Sequence, residues 1–340
     1  MPVVAIAGTG LIGASIGLGL ARAGWEVVAW DPNQETLTTA VDIGAVDITV
    51  GSFDDLLERN ADLLVLAGPP RAVLQQVAMV STAGLVIDVA GVKGPIVAAA
   101  VAPRFVGTHP MAGREFPGPE GATPSLFRGA TWVVVTDGAV PDDLTEVEGV
   151  LEQLGARPLR MSAAAHDAAV AMISHLPQVL ATTLVNEAAD RTKTLELVAG
   201  SFRDLTRVAA SEPAMWIDLF EINRPQVVAV IEDFRERLGM VARAIDDGDS
   251  SGIRSFLDRG REVRRGLAPG AVAVRVALAD QPGELARVGR AFGSSAVDVR
   301  DLQLRHAPHG GGGVLTVSVR PGEEEALRTA LRDEGLLVVE

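Results

Sequence analysis

The stretch Val3-Val4-Ala5-Ile6-Ala7-Gly8-Thr9-Gly10-Leu11-Ile12-Gly13 decides the fold. Five apolar residues read as a buried strand, and a glycine-rich turn follows without a break. Gly8 turns the chain, Gly10 lets the backbone approach a pyrophosphate, and Gly13 lets the next helix pack close to the strand. Thr9, Leu11 and Ile12 complete the turn and open that helix, whose first amides face the phosphates. Gly17 and Gly19 extend the close packing. A second strand, Glu26–Trp30, runs into Asp31, about 20 residues on from the glycines. An acidic side chain there accepts ribose hydroxyls and repels a 2′-phosphate, so the pattern predicts a site for NAD rather than NADP. Arg22 and Arg71 are the two nearby residues that could serve a phosphate instead.

Working outward, short apolar runs alternate with stretches long enough for a helix or crossover. Val3–Ala7, Glu26–Trp30, Leu63–Ala67, Val86–Val89, Phe105–Gly107 and Thr131–Val135 are the expected strands. Such alternation predicts an α/β domain over residues 1–160, with a Rossmann-type doubly wound parallel sheet. Gly113 to Phe127 reads as a long irregular loop, where function tends to sit. From 161 to 267 the strand signal vanishes and an all-α middle domain is expected. Val227, Ile231, Phe234, Leu238, Val241 and Ile245 form a helical stripe, with Asn223 and Pro225 at its start. That stripe needs a partner helix, either inside a bundle or across a dimer. Arg261–Gly270 reads as a linker. Residues 271–340 then follow a β-α-β-β-α-β order, a ferredoxin-like unit.

Composition narrows the chemistry. The 340 residues include no cysteine, which excludes disulfides, thiolate metal sites and cysteine nucleophiles. A formal net charge of −14 repels phosphate backbones and argues against nucleic acid. No apolar run reaches the ~20 residues of a membrane span. The apolar start lacks the basic residues of a signal peptide, so a cytoplasmic protein is expected. Lys93 and Lys193 are the only lysines in a chain that otherwise uses arginine. Lys93, just past the fourth strand, therefore suggests a site where arginine would not serve.

Five histidines are present. His306 and His309 read as surface residues of the last unit, and His166 as a helix-start cap or packing residue. His109 follows a strand at the carboxyl edge of the sheet, where doubly wound folds bind ligands. The strings around the remaining candidates carry more: Thr108-His109-Pro110-Met111-Ala112-Gly113, Ser174-His175-Leu176-Pro177-Gln178 and Phe202-Arg203-Asp204-Leu205-Thr206-Arg207. With the N-terminal glycines, Ala199-Gly200-Ser201-Phe202 and Glu212-Pro213-Ala214-Met215-Trp216, they closely resemble the prephenate/arogenate dehydrogenase family over residues 1 to about 265. Asp280-Gln281-Pro282-Gly283-Glu284-Leu285 resembles the ligand loop of an ACT domain.

The resemblance implies oxidative decarboxylation of prephenate or arogenate with NAD, in tyrosine biosynthesis. It implies that His109 takes the proton of a ring carbinol, a task suited to a neutral imidazole. It assigns Arg207 to a substrate carboxylate, a role that fits a bidentate guanidinium, and puts His175 and Gly200 in the substrate pocket; Lys93 joins them on the argument above. Plainer readings stand beside these: an Arg207–Asp204 surface ion pair, and a helix-start histidine at 175. The resemblance further implies a homodimer, with tyrosine as feedback ligand at Asp280, Gln281, Pro282, Gly283 and Glu284. One departure is visible. Family members carry Ser where this chain has Gly91, so either a nearby hydroxyl, Thr108 or Ser174, fills that role, or the chain is a regulator that only binds.

Overall fold

The computed structural model describes all residues except 83, 115–117, 192, 267–271, 307–310 and 340, and leaves out the side chain of His306. His309 and residues 267–270 of the expected linker thus lie outside the described residues, while residues 261–266 of that linker are instead the end of helix Ser250–Gly266. The chain divides into two compact units: residues 1–186 with 208–234, and residues 187–207 with 235–340. Part of the helical stretch 161–267 thus packs with the first 160 residues.

The first unit is built on an eight-stranded sheet: β1 Val3–Ala7, β2 Glu26–Trp30, β3 Ile48–Thr49, β4 Leu63–Leu66, β5 Leu85–Asp88, β6 Phe105–Pro110, β7 Thr131–Val135 and β8 Arg157–Met161. Its order is β3-β2-β1-β4-β5-β6-β7-β8. Every pairing is parallel except β6 with β7. The expectation of a wholly parallel sheet is corrected there. After Pro110 the chain makes an irregular excursion without crossing the sheet. It re-enters at the same end, where the Met111 amide bonds to the Thr131 carbonyl at 2.8 Å. Two strands escaped the sequence reading: β3 is only two residues long, and β8 (RPLRM) shows little apolar signal.

Alternate residues of the central strands feed two cores. Val4, Ile6, Val27 and Ala29 pack with helices Leu11–Arg22 and Pro141–Gln153, while Ala5, Ala7, Val28, Leu64 and Leu66 pack on the other face. Strands buried on both faces read as unbroken apolar runs, which is why they were legible in the sequence.

Beyond β8, a continuous helical stretch runs from Ala163 to Ala189, with π-helical geometry at Ala171–His175. By length and composition alone this stretch could cross a bilayer, contrary to the expectation that no segment would. Yet it carries His166, Asp167 and His175 buried in its first half, and Ala171 and Leu176 pack against Val230.

In the second unit, β9 Val272–Leu278, β10 Val299–His306, β11 Gly313–Val319 and β12 Leu337–Val339 form a four-stranded sheet of order β10-β11-β9-β12, antiparallel throughout. Helices Glu284–Ser295 and Glu324–Asp333 contribute Val288, Ala291, Leu327 and Leu331 to its core.

Candidate active site

The glycine turn has the geometry the sequence implies. Gly8 lies at φ +102°, a left-handed conformation, and a Cβ there would meet the Ala67 carbonyl at 2.8 Å. A Cβ on Gly13 would come within 1.9 Å of the Gly8 carbonyl oxygen. Around Gly10, by contrast, nothing lies within 4 Å of a built Cβ, so the backbone is open to a ligand at the helix start. The buried Thr9 donates from its amide to Asp31 Oδ2 at 2.7 Å and from its hydroxyl at 3.2 Å. Asp31 Oδ1 accepts the Asn33 amide at 2.9 Å. A carboxylate offers about four lone-pair sites, so one more donor, such as a ribose hydroxyl, can be received. Gly8, Thr9, Gly10, Leu11, Ile12, Gly13 and Asp31 therefore form one cradle that fits a dinucleotide.

The two arginines considered for a phosphate lie elsewhere. Arg22 ends the 12-residue helix that Gly10 caps, about 18 Å along its axis at ~1.5 Å per residue. Arg71 donates to Asp218 at 2.8 Å and to Glu221, so two carboxylates already hold it.

At the carboxyl edge of the same sheet, His109 is half-buried near the end of β6, opposite Val133. It lies within the strand rather than after it. Its Nδ1 is 2.8 Å from His166 Nε2, and His166 Nδ1 is 2.8 Å from Asp167 Oδ1. Both carboxylate oxygens are engaged: the Lys93 amide donates to the same Oδ1 and the Gly94 amide to Oδ2, each at 2.7 Å. His109 Nε2 points to Gly91, where an added Cβ would lie 3.7 Å away.

Burial lowers the pKa of His109 well below the usual 6.5, helped by the charge of Lys93. His109 is therefore an uncharged proton acceptor at neutral pH. Burial likewise pushes His175 down to about 4, against the opposing pull of Asp167. Burial acts to raise Asp167, but the His166 bond and the two amides outweigh it and hold this carboxylate below its ordinary value.

His175 is buried, edge-on to Trp216 and Phe220, and its Nδ1 is 3.4 Å from Asn223 Nδ2. Asn223 sits at the start of helix Arg224–Asp246, as expected, and its side-chain amide also donates to the Asp167 carbonyl at 3.0 Å.

Lys93 is not presented to a ligand. It is 0% exposed, and its ammonium donates to the equally buried Asp88 and to the Thr108 carbonyl at 2.6 Å. Burial lowers the Lys93 pKa and raises that of Asp88, each opposed by the partner's charge. This pair ties the ends of β5 and β6 together beneath His109. The Thr108 hydroxyl, considered as a substitute for the absent serine, is also committed. It donates to the Asp88 carbonyl at 2.5 Å and accepts the Trp132 indole at 2.9 Å.

Gly200 and Arg207 belong to the second unit, at the start of helix Gly200–Thr206 and just beyond its end. Asp204 meets Arg305 at 3.2 Å. Asp280, Gln281, Pro282, Gly283 and Glu284 line a cavity of about 350 Å³ between β9 and the helix they introduce. Gly283 there has φ +94°, and Glu284 pairs with Arg287.

Sequence reasoning missed His166, Asp167, Asn223 and Asp88. The His-Asp dipeptide was visible, but nothing along the chain brings it to His109, 57 residues away.

A dinucleotide cradle beside an uncharged, hydrogen-bonded histidine defines a dehydrogenase that oxidises an alcohol. Comparisons with known proteins narrow the class. Residues 16–159 match the prephenate dehydrogenase nucleotide-binding domain, and residues 162–259 match the prephenate dehydrogenase dimerization domain. The prephenate dehydrogenase of Lactococcus lactis is 30% identical over 311 residues, covering 85% of each chain. The structure of the Aquifex aeolicus enzyme in complex with hydroxyphenyl propionate and NAD+ is similar with a TM-score of 0.72 and 29% identity, covering 78% of this chain and 98% of that one. Synechocystis arogenate dehydrogenase gives 0.68 and 27%, covering 78% and 100%. The chain belongs to the prephenate dehydrogenase family.

Proposed function

We propose that this protein oxidises the ring carbinol of prephenate with NAD as cofactor and releases the ring carboxylate as CO₂, leaving 4-hydroxyphenylpyruvate. The observation that carries this reading is His109: neutral, half-buried at the carboxyl edge of the dinucleotide sheet, with Nε2 on the Gly91 side of its ring. When bound, NAD accepts the hydride from the carbinol carbon. The chain's own residues do the rest. Gly8 to Gly13 and Asp31 hold and orient the dinucleotide. His109 Nε2 takes the hydroxyl proton as positive charge builds on the carbon, help worth about 10²–10⁴ in rate. The bond to the leaving carboxylate supplies the electrons that make the ring aromatic. In this reading His175 belongs to the substrate pocket.

Two further parts complete the proposal. The apolar stripe of helix Arg224–Asp246 is only partly covered within one chain: Val227 and Val230 are buried, but Leu238 and Ile245 are more than half exposed. That uncovered half supports a homodimer. The last four strands are read as a ferredoxin-like, ACT-type unit, a reading supported by the order β10-β11-β9-β12 and by the cavity at Asp280–Glu284, which suits a small amino acid such as tyrosine, the pathway's product.

Initial rates of NADH formation with prephenate and with arogenate test the reading. Turnover with prephenate is expected, slowed by added tyrosine. Binding of NAD and tyrosine with no NADH from either substrate would replace the enzyme with a regulator.

A further inference from the structure

The mechanism above uses His109 but leaves His166 and Asp167 without a task. Both are buried, and neither is needed to close a helix, since Ser162 already caps that helix through the Ala165 amide at 3.2 Å. Their hydrogen bonds run in series with that of His109. Resting on the reading of His109 as the base, we propose that Asp167 and His166 are positioning residues that hold His109 in its Nδ1-protonated tautomer and receive its proton during turnover.

The direction of the series follows from donor and acceptor counting. An ionised carboxylate only accepts, so the bond to Asp167 Oδ1 requires a proton on His166 Nδ1. With that one proton on His166, its Nε2 is a lone pair, and in the 2.8 Å contact His109 donates from Nδ1. His109 Nε2 is left as a lone pair, facing Gly91. Without the series, a free imidazole would populate the tautomer protonated on Nε2, which cannot accept a proton there. Asp167 is in turn fixed through both carboxylate oxygens by the Lys93 and Gly94 amides, and Asn223 holds its carbonyl. The anchor is thus part of the backbone of the first unit rather than a mobile side chain.

The proton balance closes. As Nε2 of His109 takes the carbinol proton, its Nδ1 proton passes to His166 Nε2. His109 stays neutral, and the single positive charge rests on His166, against the Asp167 carboxylate. This arrangement matters in a site where burial and the charge of Lys93 oppose a charge on His109. As loss of CO₂ turns the new carbonyl oxygen into a phenolate, the transfer reverses and His109 Nε2 returns the proton to that oxygen, so the product leaves as a phenol.

Two variants separate this role from a structural one. His166→Asn keeps an amide at the Nδ1 position and so keeps the bond to Asp167, but it does not reach His109. His166→Gln reaches His109 with an acceptor and keeps the tautomer, though it passes no proton. Expected results are a kcat loss of about 100-fold or more for Asn, consistent with the cost of a wrong tautomer in other histidine bases. For Gln, kcat should stay within roughly tenfold of the parent, and KM for prephenate and NAD should change little in either. Imidazole 15N shifts of the unliganded protein near neutral pH should show His109 protonated on Nδ1 in the parent and Gln proteins, with that preference lost in Asn. Equal kcat for Asn and Gln, or a parent His109 protonated on Nε2, overturns the proposal. Failure of the parent to reduce NAD with prephenate would defeat the functional reading instead, while the 15N result would still decide the tautomer.

Discussion

Lys93→Met would take the ammonium out of the pair beneath His109 while keeping an unbranched stem of similar volume. Both Lys93 and Asp88 are 0% exposed, so no water can replace the lost partner. Asp88 keeps the Ala90 and Thr108 amides at 2.9 and 3.2 Å but loses its countercharge. Breaking such a buried pair from one side costs about 3–5 kcal/mol, while the change in packing alone costs under ~1.5 kcal/mol. At roughly 2–4 °C per kcal/mol for a unit of this size, the melting temperature should fall by about 6–20 °C. The loss should also depend on pH. Asp88 is already raised by burial, and without Lys93 it rises further. A carboxyl whose folded pKa lies above its unfolded value stabilises fully below the unfolded value, near 3.9, and loses that contribution as pH climbs through the folded one. The deficit should therefore shrink in acid and widen toward alkaline pH. Thermal melts across pH, with KM for prephenate measured at a temperature where the variant is folded, test this. A melting temperature within about 2 °C of the parent at neutral pH, with KM for prephenate sharply raised, would refute the reasoning and return Lys93 to the substrate.

Other consequences are open to measurement. Because the imidazole of His109 is held well below 6.5, kcat/KM should be flat through neutral pH and fall only in acid, as the base becomes protonated; an acid limb centred at or above 6.5 would contradict the burial argument. Asp31→Ala should weaken NAD about tenfold or more and narrow the preference over NADP, read by titration of each nucleotide. Gly91→Ser places its Cβ 3.2 Å from Leu219 Cδ2, which a flexible leucine can yield, and 3.7 Å from the His109 ring. Turnover should be unchanged or raised, and a large loss in steady-state assays would mean this loop is built differently. Gly13→Ala, whose Cβ would meet the Gly8 oxygen at 1.9 Å, should abolish NAD binding by calorimetry.

Much of this was legible along the chain because it is local. The strand-turn-helix around Gly8–Gly13 needs only neighbouring residues, and Asp31 follows from the length of one helix and one strand. The doubly buried strands announce themselves as apolar runs, and the last 70 or so residues alternate in a pattern that few arrangements satisfy. His109 could be singled out because the end of a parallel strand is a place, not a partner.

The partners themselves could not be read. Whether β7 runs with or against β6 depends on where a long irregular loop re-enters the sheet, which no periodicity encodes. Lys93 looked like a ligand for substrate, and only the fold reveals a buried ion pair tying two strand ends. His166 looked like a cap, yet the crossing of the Ala163–Ala189 stretch over the sheet edge brings it, with Asp167 behind it, within one hydrogen bond of His109. Sequence determines which groups can donate or accept. Long-range packing determines which of them meet, because contact between residues far apart in the chain depends on the summed geometry of every element between them.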